Sequence, residues 1–448
     1  MSRGWRVLIP ALVAMAVLGG SSLAYAQTEV EIVRPMDGAT VREVVRVVVP
    51  ASSVPSGGYV SISIDGRRRS AIAKNVEADA FIYEWDTKSL DPDASLPLAQ
   101  RQPREGEHAV TVQAFDSAGR TYGVPKTITV NVRNKASELM PPSGLMLSYT
   151  LKTGGKSKYR FTSVTNIKYV AGAQELAATI GQEIEGGELT VLQSIEDLRP
   201  DGTALVRQKM DGVLRLLQGG RSIPVTGVTA KATYKIEDRA GRTLGVIQSR
   251  ASGTAFSVDL PNLPVSRVRI GDSWTDVDNV FQDVATGSNI SMPCSSTLEG
   301  LEWQGGHPCA KIRTTFSGTR KLPESPILTE PVPMKGEKIT YFAFQVGKVI
   351  SSETTLLITA PMDRSTVASI SEKLMSAYTA KFPSLNAPTG GDMSPGFQGM
   401  PNETPPGGES PPGGLYSPGA SSGMTAAGPS SDRVNVTLEV KQKVELVH

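Results

Sequence analysis

Histidine and cysteine are the scarcest chemistry-bearing residues of this 448-residue chain, with three and two copies. His108, His307 and His448 are not spaced as metal ligands. Neither His-Glu-x-x-His nor Cys-x-x-Cys occurs, so no metal site is expected. Glycine-rich phosphate loops are missing too, and no cofactor is expected. An excess of one charge sign is equally absent: 46 Lys and Arg stand against 44 Asp and Glu. The balance holds locally, with about 13 basic and 14 acidic residues in 27–134. A nucleic-acid binder needs a basic face to neutralise phosphates, so nucleic acid is not an expected partner. Beyond the first 26 residues no apolar run approaches roughly 18 positions, and no membrane-spanning segment is expected there.

Residues 1–26 read as an export signal. Arg3 and Arg6 precede an apolar run from Val7 to Leu18, and Ala24-Tyr25-Ala26 supplies the small–x–small pattern before Gln27. The expected destination is the periplasm, the cell surface or the extracellular space. An oxidising compartment favours a disulfide between Cys294 and Cys309. A hairpin turning at Gly305-Gly306 opposes it, because it pairs Cys309 with Glu302 and leaves Cys294 far along the other strand. Only a bent path before Ser296 reconciles the two, and the bond is kept as the expectation.

From Val30 to Val132 the hydrophobic period is two. Val45-Val47-Val49, Val60-Ile62-Ile64, Phe81-Tyr83-Trp85, Val110-Val112-Ala114 and Ile128-Val130-Val132 alternate with polar or small residues. Turns at Asp37-Gly38, Asp65-Gly66 and Ser117-Ala118-Gly119 separate them. Six or seven short strands in about 105 residues fit a two-sheet sandwich. Pro35-Met36-Asp37-Gly38, Val60 to Gly66, Trp85, Gly106 to Asp116 and Gly119 resemble bacterial Ig-like domains of exported proteins, over residues 27–133. That resemblance implies an Ig-like sandwich used for adhesion or docking. Without an Ig cysteine pair, its core is expected to rest on packing around Trp85.

Asn134 to Ser143, with Pro141-Pro142, reads as a linker. Residues 144–360 are β-patterned again, with hairpins expected at Met146–Phe161 around Gly154-Gly155, Leu189–Val213 around Pro200-Asp201-Gly202, and Val228–Ile247 around Asp238 to Gly241. Ile290–Phe316 and Ile339–Ile358 add at least four strands. The expected fold class is therefore all-β, a sandwich followed by a larger antiparallel domain, curled or barrel-like. Leu260 to Val265 and Val268 to Trp274, with Tyr149 and Tyr159, are similar to a family of uncharacterised exported bacterial β-proteins. The likeness implies a fold and no activity.

Val367, Ile370, Leu374, Tyr378 and Phe382 predict an amphipathic helix over 365–382, begun by Ser365 or Thr366 and stopped by Pro383. Residues 385–431 collapse into Pro, Gly and Ser and read as a disordered insertion. Alternation then returns from Val434 to Leu446. A lone strand gains nothing, so residues 433–447 are expected to dock into the second domain's sheet.

Reactive constellations are few. Gly271-Asp272-Ser273 resembles a G-D-S nucleophile motif, but no Asp stands three residues before a His, so Ser273 is read as a turn residue. Asp37, Asp65 and Asp116 lie at loop ends where calcium binds in some related modules, and turn roles suffice for them. His108 reads as a strand-edge structural residue. Arg67-Arg68-Arg69 reads as a solvated hairpin tip that could touch an anionic glycan or lipid. Trp274 and Trp303 are assigned to packing rather than sugar stacking. Asn289, Asn402 and Asn435 fit the glycosylation pattern without consequence in a bacterial protein. The chain is expected to be a non-enzymatic binding or structural protein of the bacterial envelope or exterior, with a protein or glycan partner. The alternative is a carrier enclosing an apolar small molecule or lipid in the second domain. Oligomeric state is not legible.

Overall fold

The computed structural model describes residues 29–171, 174–181, 183–218, 221–248, 254–282, 289–322, 327–328, 330–370, 372–374, 376 and 433–447. The segment 1–26 read as an export signal, the Pro/Gly/Ser tract, His448, Tyr378 and Phe382 lie outside them. The described residues are mostly β, in two compact units divided after Asn134.

Unit 1 holds β1 (Thr40–Val41), β2 (Val44–Pro50), β3 (Tyr59–Ile64), β4 (Arg67–Ile72), β5 (Ala80–Asp86), β6 (Gly106–Phe115) and β7 (Thr121–Val132). Five form one sheet in the order β1-β7-β6-β3-β4, and β2 pairs with β5 in a second. Alternation explains the packing: Val45, Val47 and Val49 of β2 meet Ile62, Val110, Val112 and Val130 of the larger sheet in one buried cluster. Trp85 is not its centre. The ring is half-buried at the sandwich flank, edge-on to His108 with centroids 5.6 Å apart. The short aliphatic side chains fill the middle without it.

Unit 2 contains β8 (Lys156–Ala171), β9 (Glu183–Leu198), β10 (Ala204–Met210), β11 (Leu214–Gln218), β12 (Arg221–Val225), β13 (Ala230–Lys231), β14 (Thr233–Glu237), β15 (Thr243–Gln248) and β16 (Thr254–Ala255). It continues with β17 (Ser273–Gln282), β18 (Asn289–Gln304), β19 (His307–Arg320), β20 (Val332–Ala343), β21 (Lys348–Asp363) and β22 (Arg433–Val447). The main sheet runs β15-β14-β10-β9-β8-β22-β21-β20-β19-β18-β17, with β11 and β12 beside β9. Strand β22 sits between β8 and β21, antiparallel to both. Its buried Val434, Val436, Leu438 and Val440 explain why a segment so far along the chain returns to the sheet. Bulges in β8, β17, β18 and β21 break the pleat, and the sheet curls. Its curl brings Gln282, at the end of β17, against Gln442 of β22.

Several expectations change. The hairpin at Met146–Phe161 is absent: residues 145–151 form no strand; Leu145 exchanges two backbone bonds with Val268, and the Tyr149 and Thr150 N–H groups donate to the Arg239 and Gly347 carbonyls. The first three residues of the segment 134–143 are held in place. Asn134 is buried in unit 1 against Thr87, whereas Lys135 bridges Glu302 and Ala136 is fully buried in unit 2. The helix begins earlier than expected, at Arg364–Ala368 with Asp363 as N-cap, and helical residues recur to 376. Its Val367, Ile370 and Leu374 are buried as their spacing implies. The disulfide is corrected outright. No disulfide joins the two buried cysteines, since Cys294 pairs with Phe316, seven positions along β19 from Cys309. At 3.3–3.4 Å per residue that is more than 20 Å, well past bridging distance.

Candidate functional site

Two places in the molecule gather polar chemistry. The first is a cleft of about 440 Å³ in unit 1, opening between the edges of β4 and β5 and covered by residues 87–104. Tyr83 and Trp85 are alternate residues of β5, so both point to its inner face and form an aromatic wall. Arg67 and Arg69, alternate residues of β4, approach from the other side. Asp91 of the covering loop receives both, at 3.4 and 2.7 Å. Burial alone would raise the Asp91 carboxyl, but the Asp93 N–H and the two guanidiniums together hold it below the ordinary carboxylate range. Reciprocal bonds lock the loop: Asp91 N–H donates to the Arg101 carbonyl at 2.8 Å, and Arg101 Nε donates back to the Asp91 carbonyl at 2.7 Å.

His108 and Asp65, read separately in the sequence, meet here. His108 Nδ1 lies 2.7 Å from Asp65 Oδ2, and Nε2 lies 3.2 Å from the Arg104 carbonyl. Both ring nitrogens face hydrogen-bond partners within the protein. Arg67 and Arg69 are thus not a solvated tip; of the three arginines only Arg68 is exposed. Asp37, Asp65 and Asp116 each accept a backbone N–H, from Thr129, Ala109 and Ala118 respectively. No group of metal-ligating side chains assembles among the described residues.

The second place is a belt inside unit 2. Each long strand carries an inward face that reads apolar, then polar, then apolar. On β22, Val434 to Val440 join one buried cluster and Val444 and Leu446 pack on another, with Gln442 between. On β8 the middle is Ser163 and Thr165, on β21 Ser352 and Thr354, on β20 Lys338 and Thr340. Hydroxyl pairs stitch neighbours together, Ser296 with Thr314 at 2.8 Å and Thr340 with Ser352 at 2.9 Å. Gln442 Nε2 donates to Ser163 and to the Gln282 carbonyl. Two ion pairs complete the belt, Lys338 with Asp278 and Lys235 with Asp259. Close by, Glu237 lines a cavity of about 50 Å³ with Tyr149 and Gln193. Burial pushes its carboxyl up to about 7, against Lys235 and with help from Asp259 and Asp238.

The remaining sequence candidates are structural in their contacts. Ser273 shares a hydrogen bond with the Thr297 hydroxyl at 2.7 Å, and Asp272 accepts from the Arg269 N–H. Trp274 and Trp303 are half-buried against the second unit-2 cluster. Sequence reasoning missed Asp91 and Arg101, whose only local signal is a Pro/Asp-rich loop, and the Lys–Asp pairs, which alternation disguises as surface charge. No family model matches the chain, and no curated protein is similar enough to count as a match.

Proposed function

We propose that this chain is an exported, non-enzymatic binding protein of the bacterial envelope or exterior, in which an Ig-like unit 1 engages the partner and unit 2 is a rigid β-scaffold. The observation that carries the reading is the unit 1 cleft, whose size lies in the range of small-ligand sites and whose walls are held in place before any ligand arrives. Seven strands in two sheets support the Ig-like assignment, and the motif over residues 1–26 supports export. Against a hydrolase, Ser273 has a threonine for a partner and both His108 nitrogens are engaged.

The carrier reading gains less. Ile167, Met292 and Val436 on one side of the belt, and Val191, Phe256 and Phe342 on the other, have no accessible surface, so no water-sized space adjoins them. Two experiments test the proposal. Solvent extraction of the purified protein is expected to release no stoichiometric apolar molecule; a one-to-one lipid would favour the carrier. Ser89→Trp, an exposed cleft-lining position, is expected to abolish retention of whatever envelope fraction the wild type binds. Unchanged retention would remove the cleft from the function.

A further inference from the structure

We infer that the unit 1 cleft is built for a neutral saccharide, an inference that rests on the cleft being a binding site and adds the class of ligand. Charge is the first argument. The lining carries Arg67, Arg69, Arg101 and Arg104 against Asp65, Glu84, Asp86 and Asp91, four of each sign. Much of this charge is already spent internally: Asp91 holds two arginines, Asp65 holds His108, and Glu84 holds Arg46. A ligand ion therefore meets no net field of opposite sign.

Hydrogen-bonding capacity is the second. Guanidiniums only donate and carboxylates only accept, and the cleft places both on one small surface. A sugar hydroxyl does both, so a run of hydroxyls satisfies such a mixed wall where a carboxylate or an ammonium satisfies half of it. Arg104 is exposed and makes no ion pair among the described residues, and Asp65 keeps half its side chain exposed beside it. The third argument is the aromatic wall. Tyr83 and Trp85 are half-buried, fixed by core packing at one side, and bordered by the polar groups at the other. The apolar C–H face of a pyranose stacks on such rings while its hydroxyls reach the rim. Because the Asp91–Arg67–Arg69–Arg101 frame is already formed, little ordering cost falls on binding.

Titration calorimetry on the mature full chain tests this with three probes: the neutral cellotriose and maltotriose, and the acidic trigalacturonate. At least one neutral probe is expected to bind, and trigalacturonate to bind at least tenfold more weakly. Arg104→Ala, an exposed position that leaves the fold intact, is expected to weaken the neutral probe about tenfold, and Trp85→Phe to weaken it several-fold with an unchanged far-ultraviolet circular dichroism spectrum. Preferential, Arg104-dependent binding of trigalacturonate would overturn the ligand class while leaving the cleft as a binding site. Binding of no probe, with Ser89→Trp also without effect on envelope retention, would overturn both. Neutral-probe binding indifferent to Arg104→Ala and Trp85→Phe would place saccharide recognition elsewhere and defeat the inference.

Discussion

Lys338 of β20 reaches across the interior of unit 2 to Asp278 of β17, although two strands, β19 and β18, lie between theirs in the sheet. The side chains are only 6% and 9% exposed. The pair is a strut across the curl. Removing one partner leaves a buried, uncompensated charge, whereas replacing both with apolar groups need cost little. Lys338→Met is therefore expected to destabilise unit 2 by about 3–5 kcal/mol, and adding Asp278→Leu to restore most of that. Denaturant titrations of the two single variants and the double variant measure it. Additive losses would mean that the charges do not see each other.

The carboxyl of Glu237 sets a pH dependence of definite sign. Its folded value of about 7 lies above the ordinary 4.5. Below pH 4.5 it is protonated folded or unfolded, and the full stability is present. As pH rises from 4.5 to 7 the unfolded chain releases the proton and the folded chain does not, so stability falls by up to about 3 kcal/mol. Glu237→Gln is expected to flatten this slope. Carboxylates held low, such as Asp91 and Glu439, act on the acid side of the window and leave it clear. Melting temperatures from pH 4.5 to 7.5 decide the matter, and parallel curves for wild type and variant would refute it.

Neither thiol is available in the folded protein. Cys309 is fully buried, and burial pushes the Cys294 thiol up to about 11. Ellman's reagent is expected to find no reactive thiol in the native chain and two after denaturation, under non-reducing conditions. An intact mass two hydrogens lighter than the reduced chain would instead reveal the bond that the strand register forbids.

Gly336 of β20 is held between Phe316 of β19 and the carbonyl of Thr355 on β21. A Cβ there would lie 2.3 Å from that oxygen and 2.7 Å from the phenyl ring. Two neighbouring strands would have to part, so Gly336→Ala is expected to cost about 3 kcal/mol, at the upper end of overpacking effects. Retention of the wild-type melting temperature would show that the ladder yields there.

Much of this fold can be read along the chain. Alternation in Val434–Leu446 marks β22 and even its return to a sheet, because a half-apolar strand without neighbours has nothing to gain. Gly305-Gly306 marks the β18–β19 turn, and the ladder of that hairpin already separates the two cysteines. The expectation of a disulfide gave compartment chemistry more weight than register. The Met146–Phe161 hairpin failed differently: Leu147 and Tyr149 alternate like strand residues, yet the backbone bonds of Leu145, Tyr149 and Thr150 go to three remote segments.

The sites were far less legible. Each Ser, Thr, Gln or Lys of the belt looks like an ordinary polar break in one strand, and only strand-to-strand register lines them up. Arg67 and Arg69 read as a solvated tip because Asp91, the partner that orders them, stands on a covering loop with no periodic pattern. Side-chain period and turn chemistry are local properties, so most strands and the all-β class follow from residue order alone. Which buried charge meets which, where a cleft opens, and how far apart two thiols stand depend on register and curl. Those arise only when remote strands compete for hydrogen bonds and apolar neighbours in the folded chain.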